Sequence, residues 1–529
     1  MKAERKGAMM KWMACVCAVA AGAVTGLAAE QDIFSTVSPK GTDVFKDNWE
    51  NLTENYRFPE WFQDAKFGIF IHWGVYSVPA FGNEWYPRNM YCKDSREWKH
   101  HRETFGDHAA FGYKDFIPKF TAEKFDADEW CALFKEAGAR YVVPVAEHHD
   151  GFAMYASKHT PWNSVAMGPR KDIVGLLKAA ADKHDLVFGV SSHRLENNWF
   201  YNNGQDKTGL NTVTPGAYKS DTQDISIGLY GLRLAKMQYG DATCRDWMAH
   251  VREIIDVYQP RLFWFDWTVQ QKEFLPTFNK FLAYYYNSSR DWGVDVAVNT
   301  KAGYPTEIQV SDIERGKSDV MHRYPWQTDT SVGKKSWCYI EGEEQKTPGQ
   351  IVDDLIDIVS KNGCLLLNIG PKADGTITPD QQAVLRSIGA WLKVNGEAVY
   401  GTRPWFRFGE GATKGTAGAF SDNAETAYTT ADLRFTTKGN DLYVTFLEWG
   451  ESALVKTLTP DVLGGAKLQS VSLLGSDAKI TWEQTPEGLK LTFPQQKPCD
   501  FAYAFKLAFD KKPGAHMESE AVNRPFKHN

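Results

Sequence analysis

Six short apolar runs, each followed by a stretch of helical spacing, constrain the fold of this chain more than any other feature. The runs are 66–73 (KFGIFIHW), 141–147 (YVVPVAE), 186–192 (LVFGVSS), 261–267 (RLFWFDW), 294–299 (VDVAVN) and 364–370 (CLLLNIG). Helical patterns lie between and after them at 126–137, 173–184, 245–258, 274–286, 348–361 and 380–395. Strands that are continuously apolar are buried on both faces, which calls for a parallel sheet covered by helices. The count predicts a (β/α)8-like barrel of six to eight units over 30–405.

A chain of 529 residues exceeds the usual single domain. After Trp405 the texture changes. Residues 409–423 are rich in Gly, Ala, Ser and Thr, and the runs 433–437, 442–447, 468–474, 489–493 and 502–505 alternate with period two. This predicts a C-terminal antiparallel β-sandwich over 406–510. A polar tail, 511–529, is expected to be disordered.

The first 29 residues read as a signal peptide. Lys2, Arg5, Lys6 and Lys11 surround a start that leads into a small, apolar run from Trp12 to Ala23, with Ala28 and Ala29 as cleavage positions. The expected location is secreted or periplasmic. A retained anchor is the alternative, but the run is short for a membrane span. The other cysteines, Cys92, Cys131, Cys244, Cys338, Cys364 and Cys499, are scattered without C-x-x-C spacing, so no zinc knuckle or dense disulfide scaffold is implied. One or two disulfides are compatible with export, with no pairing deducible.

Sixty Lys and Arg against 66 Asp and Glu give a net charge of -6, which excludes the basic surface that nucleic acid or an anionic membrane requires. A neutral substrate fits better. Nineteen Trp exceed what core packing obviously needs, and sugar-binding clefts use aromatic faces.

Polar residues at the C-terminal ends of barrel strands are the ones to inspect for chemistry. Four clusters qualify: Ile71-His72-Trp73-Gly74, Glu147-His148-His149-Asp150, Ser191-Ser192-His193-Arg194 and Trp264-Phe265-Asp266-Trp267. Asp266 ends an apolar run between two tryptophans, where an unused carboxylate would cost several kcal/mol. Adjacent His148 and His149 point to opposite faces if the strand continues through them, and both serve the site only if the strand has ended. Zinc held by both histidines and Asp150 is a rival reading, without a separated H-x-H pair to support it. Neutral imidazoles that donate to and accept from sugar hydroxyls fit better.

Phe67–Ala80 (FGIFIHWGVYSVPA), Asn83-Glu84-Trp85-Tyr86, His148–Phe152 and Pro161-Trp162-Asn163 together resemble the α-L-fucosidases of glycoside hydrolase family 29. Asp172-Ile173-Val174, Trp264-Phe265-Asp266, Trp337-Cys338-Tyr339 and Asn368-Ile369-Gly370-Pro371 extend the resemblance, in order, over residues 45–405. It implies a retaining exo-glycosidase acting on fucosylated oligosaccharides or glycoconjugates, with no cofactor and no metal; the charge balance adds no nucleic acid and no membrane partner after signal cleavage. Asp266 matches the nucleophile, and His72, Glu84, Trp85, His148, His149 and Trp264 match positions lining the fucose pocket. The loop Val310–Gly316 matches the one presenting the acid/base. Glu314 is chosen, with Glu307 and Glu343 behind it, and Asp266 and Glu314 are expected on successive barrel loops.

Four departures concern specificity. Ser191-Ser192-His193-Arg194 stands where a Tyr-Tyr-Ser stretch is common, so His193 or Arg194 replaces the tyrosine contact. Lys301 takes an expected arginine's place, Trp267 a glycine's and Gln327 a glutamate's. The rivals are an α-L-galactosidase of the same family, a non-catalytic fucose-binding protein and the metal-dependent barrel hydrolase.

Overall fold

The computed structural model describes residues 32–202, 219–234, 236–301, 305–413, 415–423 and 425–523. The signal-peptide reading falls outside them. Eight parallel strands close a barrel: β1 (Phe67–Ile71), β2 (Tyr141–Glu147), β3 (Val187–Ser192), β4 (Leu262–Phe265), β5 (Ala297–Thr300), β6 (Val310–Glu314), β7 (Trp326–Ser331) and β8 (Gly363–Ile369). The crossover helices start where the chain offers caps. Asp126 accepts from Asp128 and Glu129 backbone N–H groups, and Thr347 and Thr378 each precede a proline that opens a helix.

Period-two alternation decides what fills the barrel. Phe70, Tyr141, Val143, Val145, Leu262, Trp264, Ala297, Val310, Cys364 and Leu366 form the interior cluster, whereas Val142, Ala146, Phe263 and Phe265 pack outward against the helices. At Gly68 a Cβ would stand 2.4 Å from the Tyr141 ring, so the glycine makes room for the tyrosine.

β6 and β7 are strands that apolar runs do not reveal. Their inward positions carry Asp312, Gln327 and Asp329 in place of aliphatics, with Gln327 accepting from Tyr141 Oη at 2.9 Å and donating to Asp312 Oδ1 at 3.1 Å. β5 begins at Ala297, later than expected, and the Asp295 carbonyl ahead of it accepts from Trp61 Nε1 at 2.9 Å.

Beyond the barrel, β9 (Arg403–Glu410), β10 (Leu433–Lys438), β11 (Asp441–Phe446), β12 (Ser452–Val455), β13 (Leu468–Leu473), β14 (Thr481–Thr485), β15 (Gly488–Thr492) and β16 (Tyr503–Phe509) form two antiparallel sheets. Their orders are β13-β16-β11-β10-β9 and β12-β15-β14. Phe435, Val444, Phe446, Phe505 and Leu507 of the first sheet share a core with Val455, Leu489 and Leu491 of the second. Asp357 on the helix Pro348–Ser360 anchors the first sheet to the barrel, bonding Arg434 Nε and Lys361 Nζ, each at 2.7 Å.

The tail differs from expectation. Residues 511–523 are ordered against β9: the Glu520 N–H donates to the Phe406 carbonyl at 2.7 Å, Arg407 pairs with Glu520, and Pro513 takes the Trp405 indole N–H. Backbone pairing satisfied here does not depend on apolar side chains, so a polar composition hides it. The six described cysteines are all free thiols. No described helix is long and apolar enough to cross a membrane.

Candidate active site

The inward series of six strands end in polar groups, and these form one layer at the C-terminal mouth. Phe70 is followed inward by His72, Ser191 by His193, Trp264 by Asp266, Asn299 by Lys301, Asp312 by Glu314 and Leu366 by Asn368. Period two therefore stacks these groups in one layer directly above the inward residues that fill the barrel.

Asp266 lies at its centre, 7% exposed. Lys301 Nζ is 2.8 Å from Oδ1, which also accepts the Trp267 backbone N–H at 2.8 Å. His193 Nδ1 and His149 Nε2 approach Oδ2 at 3.3 and 3.4 Å. Burial opposes ionisation of Asp266, but the Lys301 ammonium and the two imidazoles outweigh it and hold the carboxyl well below the usual range. The side chain is thus kept as a carboxylate.

Glu314 ends β6, so it stands two strands from Asp266 and not on the next loop. Lys301 nevertheless joins them: its Nζ is 2.5 Å from Glu314 Oε2, and it also stands 5.3 Å from the centre of the Trp264 ring. Burial would lower the Lys301 ammonium, yet Asp266 and Glu314 raise it well above its ordinary value. Glu307 lies elsewhere, bonded to Asn523, and Glu343 caps the Lys335 and Ser336 N–H groups.

β2 ends at Glu147, and a register shift before it frees both following histidines for the site. His149 sits between Asp266 and Glu196, 3.6 Å from Glu196 Oε2, and packs on Trp85 and Phe200. Burial pulls its basicity down, but bonds to Asp266 and Glu196 prevail and raise its pKa to about 9. His148 stacks between His193, 4.5 Å away centre to centre, and Tyr76 at 5.0 Å. Burial and neighbouring imidazoles push His148 and His72 well below the ordinary histidine range, so both are neutral. His72 Nδ1 bonds Asn368 Oδ1 at 2.8 Å, and its ring packs on Trp337 at 5.1 Å.

Glu84 accepts the Trp337 N–H at 3.2 Å, and burial raises its pKa to about 7. His193, not Arg194, takes the place at the nucleophile candidate; Arg194 is drawn aside by Glu147 and by Asp246 at 2.8 Å. Asp150 points away, accepting from Tyr113 Oη at 2.7 Å. Glu196 escaped the reading of the sequence because it sits past β3 with no apolar run or motif to mark it.

Among the described residues, two groups have ligand atoms within 4.8 Å of one another: His72, His148 and His193, and His149, His193 and Asp266. The first offers three imidazoles, the donor type zinc takes. The second is poorly suited, because His149 protonated to about pH 9 has no free lone pair.

The family model described as "Alpha-L-fucosidase" matches residues 33–397, and "Alpha-L-fucosidase C-terminal domain" matches 426–508. The tissue α-L-fucosidase of Rattus norvegicus is 32% identical over 479 residues, covering 87% of this chain and 92% of that protein. The α-L-fucosidase of Branchiostoma floridae is 31% identical over 487 residues, covering 87% and 94%. The crystal structure of Thermotoga maritima α-fucosidase in complex with fucose superposes with a TM-score of 0.68 at 31% identity, over 88% of this chain and all of that one. The barrel, the sheets behind it and this likeness along nearly the whole length make the chain a glycoside hydrolase, a member of the α-L-fucosidases of glycoside hydrolase family 29.

Proposed function

We propose that this chain removes terminal α-L-fucosyl groups from glycans by a retaining mechanism, with Asp266 as nucleophile and Glu314 as acid/base. The observation that carries this is the shared ammonium. Two carboxylate oxygens held at 2.8 and 2.5 Å from one nitrogen are at most the sum of those distances apart. An upper limit of that size favours the roughly 5–5.5 Å of retaining glycosidases over the roughly 6.5–9.5 Å that admits a water in inverting ones.

The chemistry follows from the placement of the two carboxyls. Asp266, kept ionised, attacks the anomeric carbon, while Glu314 protonates the departing oxygen and then draws the proton from the water that releases the sugar. Neutral His72 gives its Nδ1–H to Asn368 and keeps Nε2 as an acceptor for a sugar hydroxyl, neutral His148 combines a donor and an acceptor, and protonated His149 is a donor only. Trp85 and Trp267, both half-buried, supply an apolar wall for the C5 methyl. No metal enters these steps. Export to the periplasm or medium is part of the proposal, resting on residues 1–29, and N-terminal sequencing of the mature protein checks it.

Proton NMR of an aryl α-L-fucoside digest in D2O tests the mechanism: α-L-fucose is the expected first-formed anomer, and β-L-fucose would overturn retention.

A further inference from the structure

The chain segment 417–423, in the connection from β9 to β10, lies against the end of β6. Gly418 pairs with Lys317, its N–H donating to the Lys317 carbonyl at 2.9 Å, and a Cβ on Gly316 would stand 2.2 Å from the Gly418 oxygen. The Phe420 N–H donates to the carbonyl of Glu314 at 3.0 Å, and Ser421 and Asp422 donate to the carbonyl of Arg315 at 2.8 and 3.1 Å. A buried knot holds the segment there. Asp422, 3% exposed, pairs with Lys346 and with Arg315, accepts from Thr330, and gives its backbone carbonyl to Gln350 Nε2 at 2.8 Å.

This firmly held segment presents Phe420 to solvent, 69% exposed and with a φ of 55°. Among the described residues its ring stacks on no other aromatic side chain. A left-handed backbone at a bulky residue is strained and persists only where its surroundings over-determine it. A large ring held outward under that strain, one hydrogen bond from Glu314, has a place to act.

We propose that Phe420 is the stacking platform for the leaving-group sugar, so that the aglycone subsite is built by the segment after the barrel and not by a barrel loop. The proposal rests on Glu314 as acid/base. An acid within hydrogen-bond reach of the glycosidic oxygen fixes where the leaving sugar begins, and Phe420 is bonded to that residue's own backbone. The apolar face of a pyranose such as an N-acetylhexosamine or galactose lies flat on an aromatic ring, and a ring fixed in advance loses little freedom on binding. The ligand class is a neutral pyranose in fucosyl linkage.

Phe420→Ala and Phe420→Trp are compared on a fucosyl disaccharide and on α-L-fucosyl fluoride, whose leaving group has no ring to stack. Phe420→Ala is expected to lower kcat/KM on the disaccharide roughly tenfold. It should leave the fluoride and the inhibition constant of free L-fucose unchanged, and Phe420→Trp should restore disaccharide cleavage. An unchanged disaccharide rate, or equal losses on both substrates, overturns the platform. Glu314→Gln is scored alongside. If it loses disaccharide cleavage but keeps the first turnover of the fluoride while Phe420→Ala has no effect, only the platform falls. If it cleaves the disaccharide at the parent rate, the acid/base reading falls, and the placement of the leaving group beside Phe420 with it.

Discussion

Lys301 Nζ lies 2.8 Å from Asp266 Oδ1, and the same nitrogen reaches Glu314. One buried cation thus neutralises part of the charge of both carboxyls proposed to act on the glycosidic bond. Removing one partner of such a pair leaves the others buried and unpaired.

Lys301→Met is therefore expected to lower kcat/KM on the order of a hundredfold. The sign on pH follows from Asp266, whose carboxyl is held well below 3.8 in the folded protein. Losing the ammonium raises it, so the acid limb of the kcat/KM profile moves to higher pH. A profile measured from about pH 3 to 8 checks this, and an unmoved acid limb contradicts it.

His149 makes a prediction on stability. Its pKa rises from 6.5 to about 9 on folding, so its contribution is full below about pH 6.5 and disappears as pH rises through about 9. The melting temperature of the parent relative to His149→Phe is expected to show its largest advantage on the acid side of this window and lose it above. A difference that does not vary with pH means that His149 is neutral when folded.

Asp422→Ala leaves Lys346 and Arg315 buried without their carboxylate. A loss of about 3–5 kcal/mol is expected from denaturant unfolding, in the range for a broken buried pair. A change under about 1 kcal/mol would show that the 417–423 segment contributes little to holding the barrel and sheets together.

Chelation distinguishes the imidazole groupings. Dialysis against EDTA is expected to leave fucoside hydrolysis intact. Loss of activity that zinc restores would assign His72, His148 and His193 to a metal instead.

The apolar strands and their helices were legible because both follow simple periods. β1 to β4 and β8 stand where their runs place them, and Asp266 was visible as the polar residue ending one of them. β6 and β7 were hidden for the opposite reason. Their inward residues are Asp312, Gln327 and Asp329, so neither continuous nor alternating hydrophobicity marks them. The link between Asp266 and Glu314 through Lys301 joins strands four, five and six, and no local pattern encodes a meeting across a closed barrel. His193 is visible in the sequence as a polar residue at the end of strand three and as a departure from a family pattern, whereas its contact with Asp266 comes from the fold. The ordered tail escaped because backbone hydrogen bonds, not side-chain character, hold it.

The most direct test of the central claim is the stereochemistry of azide rescue. Asp266→Gly cannot form the glycosyl-enzyme, so azide attacks the substrate itself and the predicted product is β-L-fucosyl azide. Glu314→Ala still forms the intermediate from a fucoside with a good leaving group, and azide intercepting it yields α-L-fucosyl azide. An α-azide from Asp266→Gly, or cleavage of an unactivated fucoside by Glu314→Ala at the parent rate, would contradict the assignment.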